Sequence, residues 1–560
     1  MTLERISVSS LFLALLLLAV TLTGIWPAEL YGPDEPREAE VAREMVRSGD
    51  YGVPHLLGRP FLEKPPLYQI GLALLYKANG ANSRFVLTAR LLSVLLGWTM
   101  VACVFLIARD AISKPAVLLA VLLMMQMPTF WKYSHTIVLD IALGAATTMF
   151  MACYYFLARD ELPATNRIPL LLGAGLALGA SFAIKSAVPF AIVVPVVLAH
   201  AWLFGRKGVI RELLSPWLVI PAVLPILVWA GLLYHEGGAL YLHEHFVVNL
   251  LGRLLDRPFR VAGAELVKTD LGRRPNRYFY LSNLPRIFGL CSILAPFALL
   301  ELLRTRRDLR DRSNNSMGLF AIWAVAPVAL LSLAADKETS YLIPAMPGMA
   351  LLCAALIDRA LKAWRPDELN RWNIVPPAVV LAAALALVLV FGNLSRVAFL
   401  LGVWFLIVGT VVAIVLAGMG RLTETIAVAC ASIMACSIFM YSPSIQRRDQ
   451  VNRTFTGFGR VVWSAVGAGT LYMYAPDETV APSIAFEGDR DVGRTGARTV
   501  ASALRGKNAY CLISKERWTA LQANPELRDR FTVIFERQAT PKEAYVLIRS
   551  RPLPDTVTNR

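Results

Sequence analysis

Charge is scarce in this chain. Asp, Glu, Lys and Arg make up 17% of its 560 residues, 56% are hydrophobic, and the mean hydropathy is +0.53. A soluble domain carries about a quarter charged residues, so a single water-soluble enzyme is excluded, as are a fibrous and a disordered chain. Closely spaced cysteines are lacking too. Cys103, Cys153, Cys291, Cys353, Cys430, Cys436 and Cys511 are scattered, mostly inside apolar runs, and neither a metal cluster of thiolates nor a disulfide framework is expected. There is no evident internal repeat and no low-complexity segment. The segment from Gly457 to Gly469 has glycines, but not the G-x-G-x-x-G pattern after a clear strand, so no nucleotide cofactor is expected.

The charge that is present is unevenly placed. Residues 1–440 hold 66 charges in 440 positions, and residues 441–560 hold 30 in 120. The first part therefore reads as a polytopic membrane domain and the second as an aqueous domain. Windows of about 20 apolar residues predict 13 spans, centred near residues 17, 96, 122, 147, 177, 195, 222, 291, 326, 350, 383, 407 and 432. The first, Ser10–Ile25, lacks a convincing cleavage site and is expected to stay as a signal anchor. Basic residues test this count, since cytoplasmic connections are rich in Lys and Arg. With the N-terminus inside, the even connections hold seventeen, among them Arg109, Arg206, Arg307 and Arg421. The short odd ones hold Lys132, Lys185, Lys337 and Arg396. The alternation predicts an external C-terminal domain and two long external loops, 29–84 and 234–280. The net charge of +16 then reflects basic inner loops and contact with anionic membrane lipids, without a nucleic-acid partner. Residues 441–560 read as α/β, with β-rich runs at Thr470–Tyr474, Ser483–Phe486, Ala509–Ile513, Phe531–Phe535 and Ala544–Ile548 and a helix at Lys515–Gln522.

The first long loop carries the strongest signal. It reads YGPDEPREAEVAREMVRSGDYGVPHLLGRPFLEKPPLY from Tyr31 to Tyr68. Asp34 and Glu35 precede Pro36 at the start of a helix, where carboxylates stay ionised. That position suits a cap, a base or a metal ligand alike. Ala39, Ala42, Met45 and Val46 share one face, as in a helix lying along a bilayer surface. Glu63 and Lys64 precede Pro65 and Pro66 where the chain returns to the membrane. There the pair reads either as an interfacial ion pair with a snorkelling Lys or as a phosphate contact. Asp140, about one turn inside the fourth span, is conspicuous because an acid within the membrane is costly and usually functional. His243 and His245 flank Glu244; with Glu63 from the other loop, His243 could belong to a divalent-metal site, though a surface histidine pair has the same spacing.

The order G-P-D-E-x-R, an amphipathic helix, then E-K-P-P-L-Y resembles the first external loop of the integral-membrane GT-C glycosyltransferases related to protein O-mannosyltransferases. The likeness is closest to the bacterial 4-amino-4-deoxy-L-arabinose transferases that modify lipid A. Further stretches match that family: His135–Asp140, Lys185 (with Ser186 and Ala187 in place of the family's Gly-Pro), His243–Arg253 with Arg273–Tyr280, and Asp336–Pro344 with Lys337 and Tyr341. The resemblance implies a GT-C fold of about 13 transmembrane helices with juxtamembrane helices, plus a periplasmic C-terminal α/β domain, with domains at 1–440 and 441–560. It implies a monomer of the bacterial inner membrane that takes a sugar from undecaprenyl phosphate to lipid A at the periplasmic face and so gives polymyxin resistance. Asp34, Glu35 and Asp140 would be catalytic. Lys64, Arg37, Arg253, Tyr341, Lys337 and Lys185 would hold lipid phosphate, and Glu63 and His243 a divalent metal. Protein O-mannosylation is the alternative within the family type. A lipid transporter would show repeated halves with helices broken at mid-membrane, which the sequence does not.

Overall fold

The computed structural model describes residues 34–159, 162–252, 276–304, 312–334, 337–363, 396–441 and 457–551, apart from 507, 525–526, 529 and 541–542, together with a few isolated residues between 22 and 32 and Phe455. The chain forms two compact units that interleave in sequence. One comprises residues 1–26, 62–68 and 90–444, the other residues 27–61, 69–89 and 445–560. The first loop is thus divided. Its amphipathic helix belongs with the C-terminal residues, and its Glu63–Lys64 segment belongs with the membrane helices.

The first unit is helical. Among the described residues six helices are long and apolar enough to cross a membrane, or up to eight if two sharply bent pairs are each one span. Two of the 13 expected windows, near residues 17 and 383, lie outside the described residues. Two others are broken, not straight. The window near 122 is Ala116–Met125 followed by Pro128–Ser134 at 66°, and the one near 291 is Phe279–Phe288 followed by Cys291–Arg304 at 107°. A break inside an apolar span strands backbone groups that no water can satisfy. Here buried Gln126 meets both breaks. Its Nε2 donates to the carbonyls of Leu123 (2.9 Å) and Phe288 (3.2 Å), and its Oε1 accepts from the Leu290 amide (3.1 Å). Gly289 turns the second corner at φ +55°, where any Cβ would strike that same amide oxygen.

Close helix packing uses small residues. On the Ala164–Lys185 helix, Gly175 and Gly179 are one turn apart, and a Cβ on them would collide with the carbonyl oxygens of Leu218 and Pro221 on the Pro216–Leu242 helix. This is the small-xxx-small geometry by which helix backbones approach one another in lipid. The outward side of the Pro216–Leu242 helix leaves Trp217, Ile220, Leu224 and Leu227 more than half exposed, as a lipid-facing surface requires. The external loop expected from residue 234 is instead helical well beyond it. After a break at Gly238, a π-helix runs over His243–Gly252.

The second unit contains a five-stranded sheet built from β1 (Thr470–Tyr474), β2 (Gly493–Thr495), β3 (Ala509–Ser514), β4 (Phe531–Thr540) and β5 (Glu543–Ser550), in the order β2-β1-β3-β5-β4. β1 runs parallel to β2 and β3, and β5 is antiparallel to β3 and β4. Four of the five expected β-rich runs are strands, and Lys515–Gln522 is the expected helix. The exception is Ser483–Phe486, which lies inside the Val480–Gly488 helix. The Asp477 carboxylate accepts the amides of Thr479 and Val480 (2.9 and 2.6 Å) and starts that helix, overriding the strand propensity of a short apolar run. Gly457–Gly469 holds a plain helix, Phe458–Val466. In the first loop, the Asp34–Ser48 helix buries Ala39, Ala42 and Met45 and packs against the Val480–Gly488 helix. The apolar face expected to lie along a bilayer is therefore covered by protein.

Candidate active site

In the first unit, helix ends and a 3-10 turn bring together groups far apart in sequence. Asp140 stands in the first turn of the Leu139–Leu157 helix and Lys185 in the last turn of Ala164–Lys185, each where a helix dipole favours its charge. Their Oδ1 and Nζ lie 2.6 Å apart, with side chains 16% and 13% exposed. The Lys185 ammonium also sits 4.6 Å from the centre of the Tyr341 ring, a cation–π contact. Ser340, next to Tyr341 on the Thr339–Ala345 3-10 turn, donates to Asp140, and the Lys64 charge acts on the same carboxylate. Four side chains from three segments thus form one cluster, on whose carboxylate the Lys64 charge acts from a fourth segment; of these residues Ser340 had no signal in the sequence. Lys337 is buried close by in the chain and donates to the Ala334 carbonyl.

Backbone strain marks the same corner. Ser186 follows Lys185 at φ +51°, a conformation costing on the order of 1–3 kcal/mol for a residue with a Cβ. It is held by His245. The Nδ1 of that ring is 2.8 Å from the Leu62 carbonyl, which can only accept, so Nδ1 carries the proton. Its Nε2 then accepts from the Ser186 hydroxyl at 3.2 Å. Buried against Trp229 and Phe246, His245 ties the backbone two residues before Lys64 to the side chain of the residue just after Lys185. The sequence reading favoured the neighbouring His243. Among the described residues no three His, Cys, Asp or Glu side chains converge as a metal site, at Glu63 and His243 or elsewhere. Arg253 and Asp336 lie outside the described residues.

Asp34, Glu35 and Arg37 belong to the second unit. Asp34, in the first turn of its helix, accepts from Arg37 Nη2 at 2.7 Å, and Arg37 Nη1 donates to Glu478 at 3.0 Å. Glu35 is buried. Behind Arg37 is buried Glu38, which accepts from Gln69 at 2.7 Å. One turn on, Arg43 and Glu40 form a fully buried bidentate pair with both bonds at 2.8 Å. Burial raises the proton affinity of Glu40 and the guanidinium opposes it. Because both carboxylate oxygens accept from a cation, the pair is ionised. Burial and the Asp489 carboxylate push the Tyr76 phenol up, so it stays protonated and donates to Asp489 at 2.7 Å.

Chemically, the first cluster offers ammonium groups to an anion and a carboxylate to a cation, as a transfer that releases phosphate from a sugar needs. Comparison with known proteins points to a family. Residues 10–235 match the dolichyl-phosphate-mannose-protein mannosyltransferase family. The undecaprenyl phosphate-alpha-4-amino-4-deoxy-L-arabinose arabinosyl transferase 1 of Sodalis glossinidius is 30% identical over 423 residues, covering 72% of this chain and 70% of that protein. The corresponding transferase of Pectobacterium carotovorum is 30% identical over 387 residues, covering 67% and 64%. The crystal structure of ArnT from Cupriavidus metallidurans bound to undecaprenyl phosphate superposes with a TM-score of 0.73 over 97% of this chain and 98% of that one, at 17% identity. That likeness shows a common fold.

Proposed function

Since the chain belongs to the family of bacterial undecaprenyl phosphate-4-amino-4-deoxy-L-arabinose arabinosyl transferases, we propose that it moves 4-amino-4-deoxy-L-arabinose from undecaprenyl phosphate to a phosphate group of lipid A. It is a multi-pass membrane glycosyltransferase. The reaction is placed at the periplasmic face of the inner membrane, where nucleotide sugars are absent and a lipid-linked donor is required.

The observation that carries this reading is the Asp140–Lys185–Tyr341–Ser340 cluster within reach of the Lys64 charge. In the transfer, the bond from the anomeric carbon to the carrier phosphate breaks and a bond from that carbon to a lipid A phosphate oxygen forms. The leaving phosphate gains negative charge, which Lys64 and Lys185 stabilise. Arg37, Arg253, Lys337 and Tyr341 are assigned to the phosphates of donor and acceptor. The acceptor is already anionic and needs no general base. Asp140, Asp34 and Glu35 therefore serve the sugar, holding its ammonium group and the positive charge that develops on its ring. A hydroxyl acceptor would need one of these carboxylates to remove a proton. That is the protein O-mannosylation reading, which the match of residues 10–235 keeps as the second possibility.

The test incubates purified protein with labelled undecaprenyl-phosphate aminoarabinose and lipid A, and separately with Ser/Thr peptides. Labelled lipid A is the expected product. Label on peptide alone, with none on lipid A, would replace the first reading with the second.

A further inference from the structure

The C-terminal residues contribute directly to the segment that carries Asp34, Glu35 and Arg37. Three donors from the first loop converge on the turn that ends the Val480–Gly488 helix. Arg43 Nη2 reaches the Asp491 carboxylate at 2.8 Å, Arg47 the Asp489 carbonyl at 3.0 Å, and the Tyr76 hydroxyl the Asp489 carboxylate at 2.7 Å. Asp489 adopts φ +48° to present its groups there. Tyr76, Phe85 and Phe486 add an aromatic cluster with ring centres 5.3–6.1 Å apart. These contacts anchor the C-terminal end of the Asp34–Ser48 helix. At its N-terminal end Glu478 takes one arm of the Arg37 guanidinium while Asp34 takes the other, with buried Glu38 3.6 Å from that second arm.

A guanidinium is a planar fork whose direction is set by what each arm binds. Asp34 and Glu38 both act on Nη2 of Arg37, and Nη1 points to Glu478. With Glu478 on the opposite Nη, the plane and the Asp34 carboxylate are both fixed. We infer that Glu478 is a positioning residue for transfer, by which the C-terminal domain aims Arg37 and Asp34 at the donor. This rests on the assignment of Arg37 and Asp34 to the site and adds to it a role for residues 445–560. Glu478 is half exposed, so the ion pair itself adds little stability, and its effect should appear in the reaction and not in the fold.

The experiment uses full-length protein in membranes and compares Glu478→Gln, Glu478→Asp, Arg37→Ala and the Glu478→Gln/Arg37→Ala double variant, with undecaprenyl-phosphate aminoarabinose as donor. Misplacing a binding group costs about 10- to 100-fold in rate. Glu478→Gln should lower kcat/KM about tenfold with unchanged protein level and thermal stability, and Glu478→Asp should recover most of that loss. In the Arg37→Ala background Glu478→Gln should have no further effect. Arg494 also feels the Glu478 charge, so Arg494→Gln is the control and should stay near wild-type activity. An additive loss in the double variant, or the same loss in Arg494→Gln, overturns the inference, as does wild-type kinetics of Glu478→Gln. If Arg37→Ala is itself fully active, the assignment of the site fails first, and the two failures are thereby told apart.

Discussion

The Asp140–Lys185 pair offers the sharpest test, because a structural and a chemical role predict different outcomes for paired substitutions. Both side chains are more than four-fifths enclosed. Lys185→Met leaves the Asp140 carboxylate enclosed without its nearest cation, and removing one partner of a buried pair costs about 3–5 kcal/mol. It also removes an ammonium that faces developing phosphate charge, a loss of about 100- to 1000-fold in kcat by analogy with other electrostatic stabilisers. The single variant therefore falls in both stability and rate. Lys185→Met with Asp140→Asn removes both charges at once, and replacing a buried ion pair by neutral groups is close to neutral for stability. The double variant should regain the melting temperature of the wild type in detergent while its transfer of labelled sugar stays at least 100-fold down. A double variant that is stable and within tenfold of wild-type activity would show that the pair serves the fold alone, and the mechanism above would be wrong.

Further outcomes are expected from other parts of the molecule. Lys64→Ala should abolish transfer to lipid A with normal expression, measured by mass spectrometry of lipid A; retained activity would contradict its phosphate role. Gly179→Leu should force apart two helices whose backbones touch there, destabilising by about 1–3 kcal/mol or more, whereas Gly231→Ala, in open space on a helix, should be neutral or gain up to about 1 kcal/mol. Thermal unfolding in detergent separates the two. Gln126→Leu should cost about 1–3 kcal/mol for each backbone group it leaves unpaired, seen as a lower melting temperature, and Gln126→Glu should recover part of it by keeping an acceptor for the Leu290 amide.

Much of the site could be found in the sequence because the membrane makes charge conspicuous. Asp140 and Lys185 stand out in apolar runs where an ionised side chain is costly, and Glu63–Lys64 stands out at the boundary of one. Ser340 carries no such cost and was invisible. His245 was visible, but two residues from His243 nothing local says which ring turns inward. That depends on the π-helix and on the Leu62 carbonyl it meets. The bends at Gln126 and Gly289 were hidden for a similar reason. A window of apolar residues has the same composition straight or broken, and the amide that repairs both breaks comes from only one of the two segments.

Composition and spacing alone determined the membrane character, the C-terminal α/β domain and which charged residues deserved suspicion, since each follows from the free energy of moving a side chain or a run of side chains between water and lipid. Partnership was a different matter. That Asp140 meets Lys185, that Arg37 is shared by Asp34 and Glu478, and that the helix of the first loop folds with the C-terminal residues while Glu63–Lys64 does not depend on contacts between segments tens to hundreds of positions apart. Such contacts arise from the packing of whole helices and a sheet, and no local periodicity encodes them.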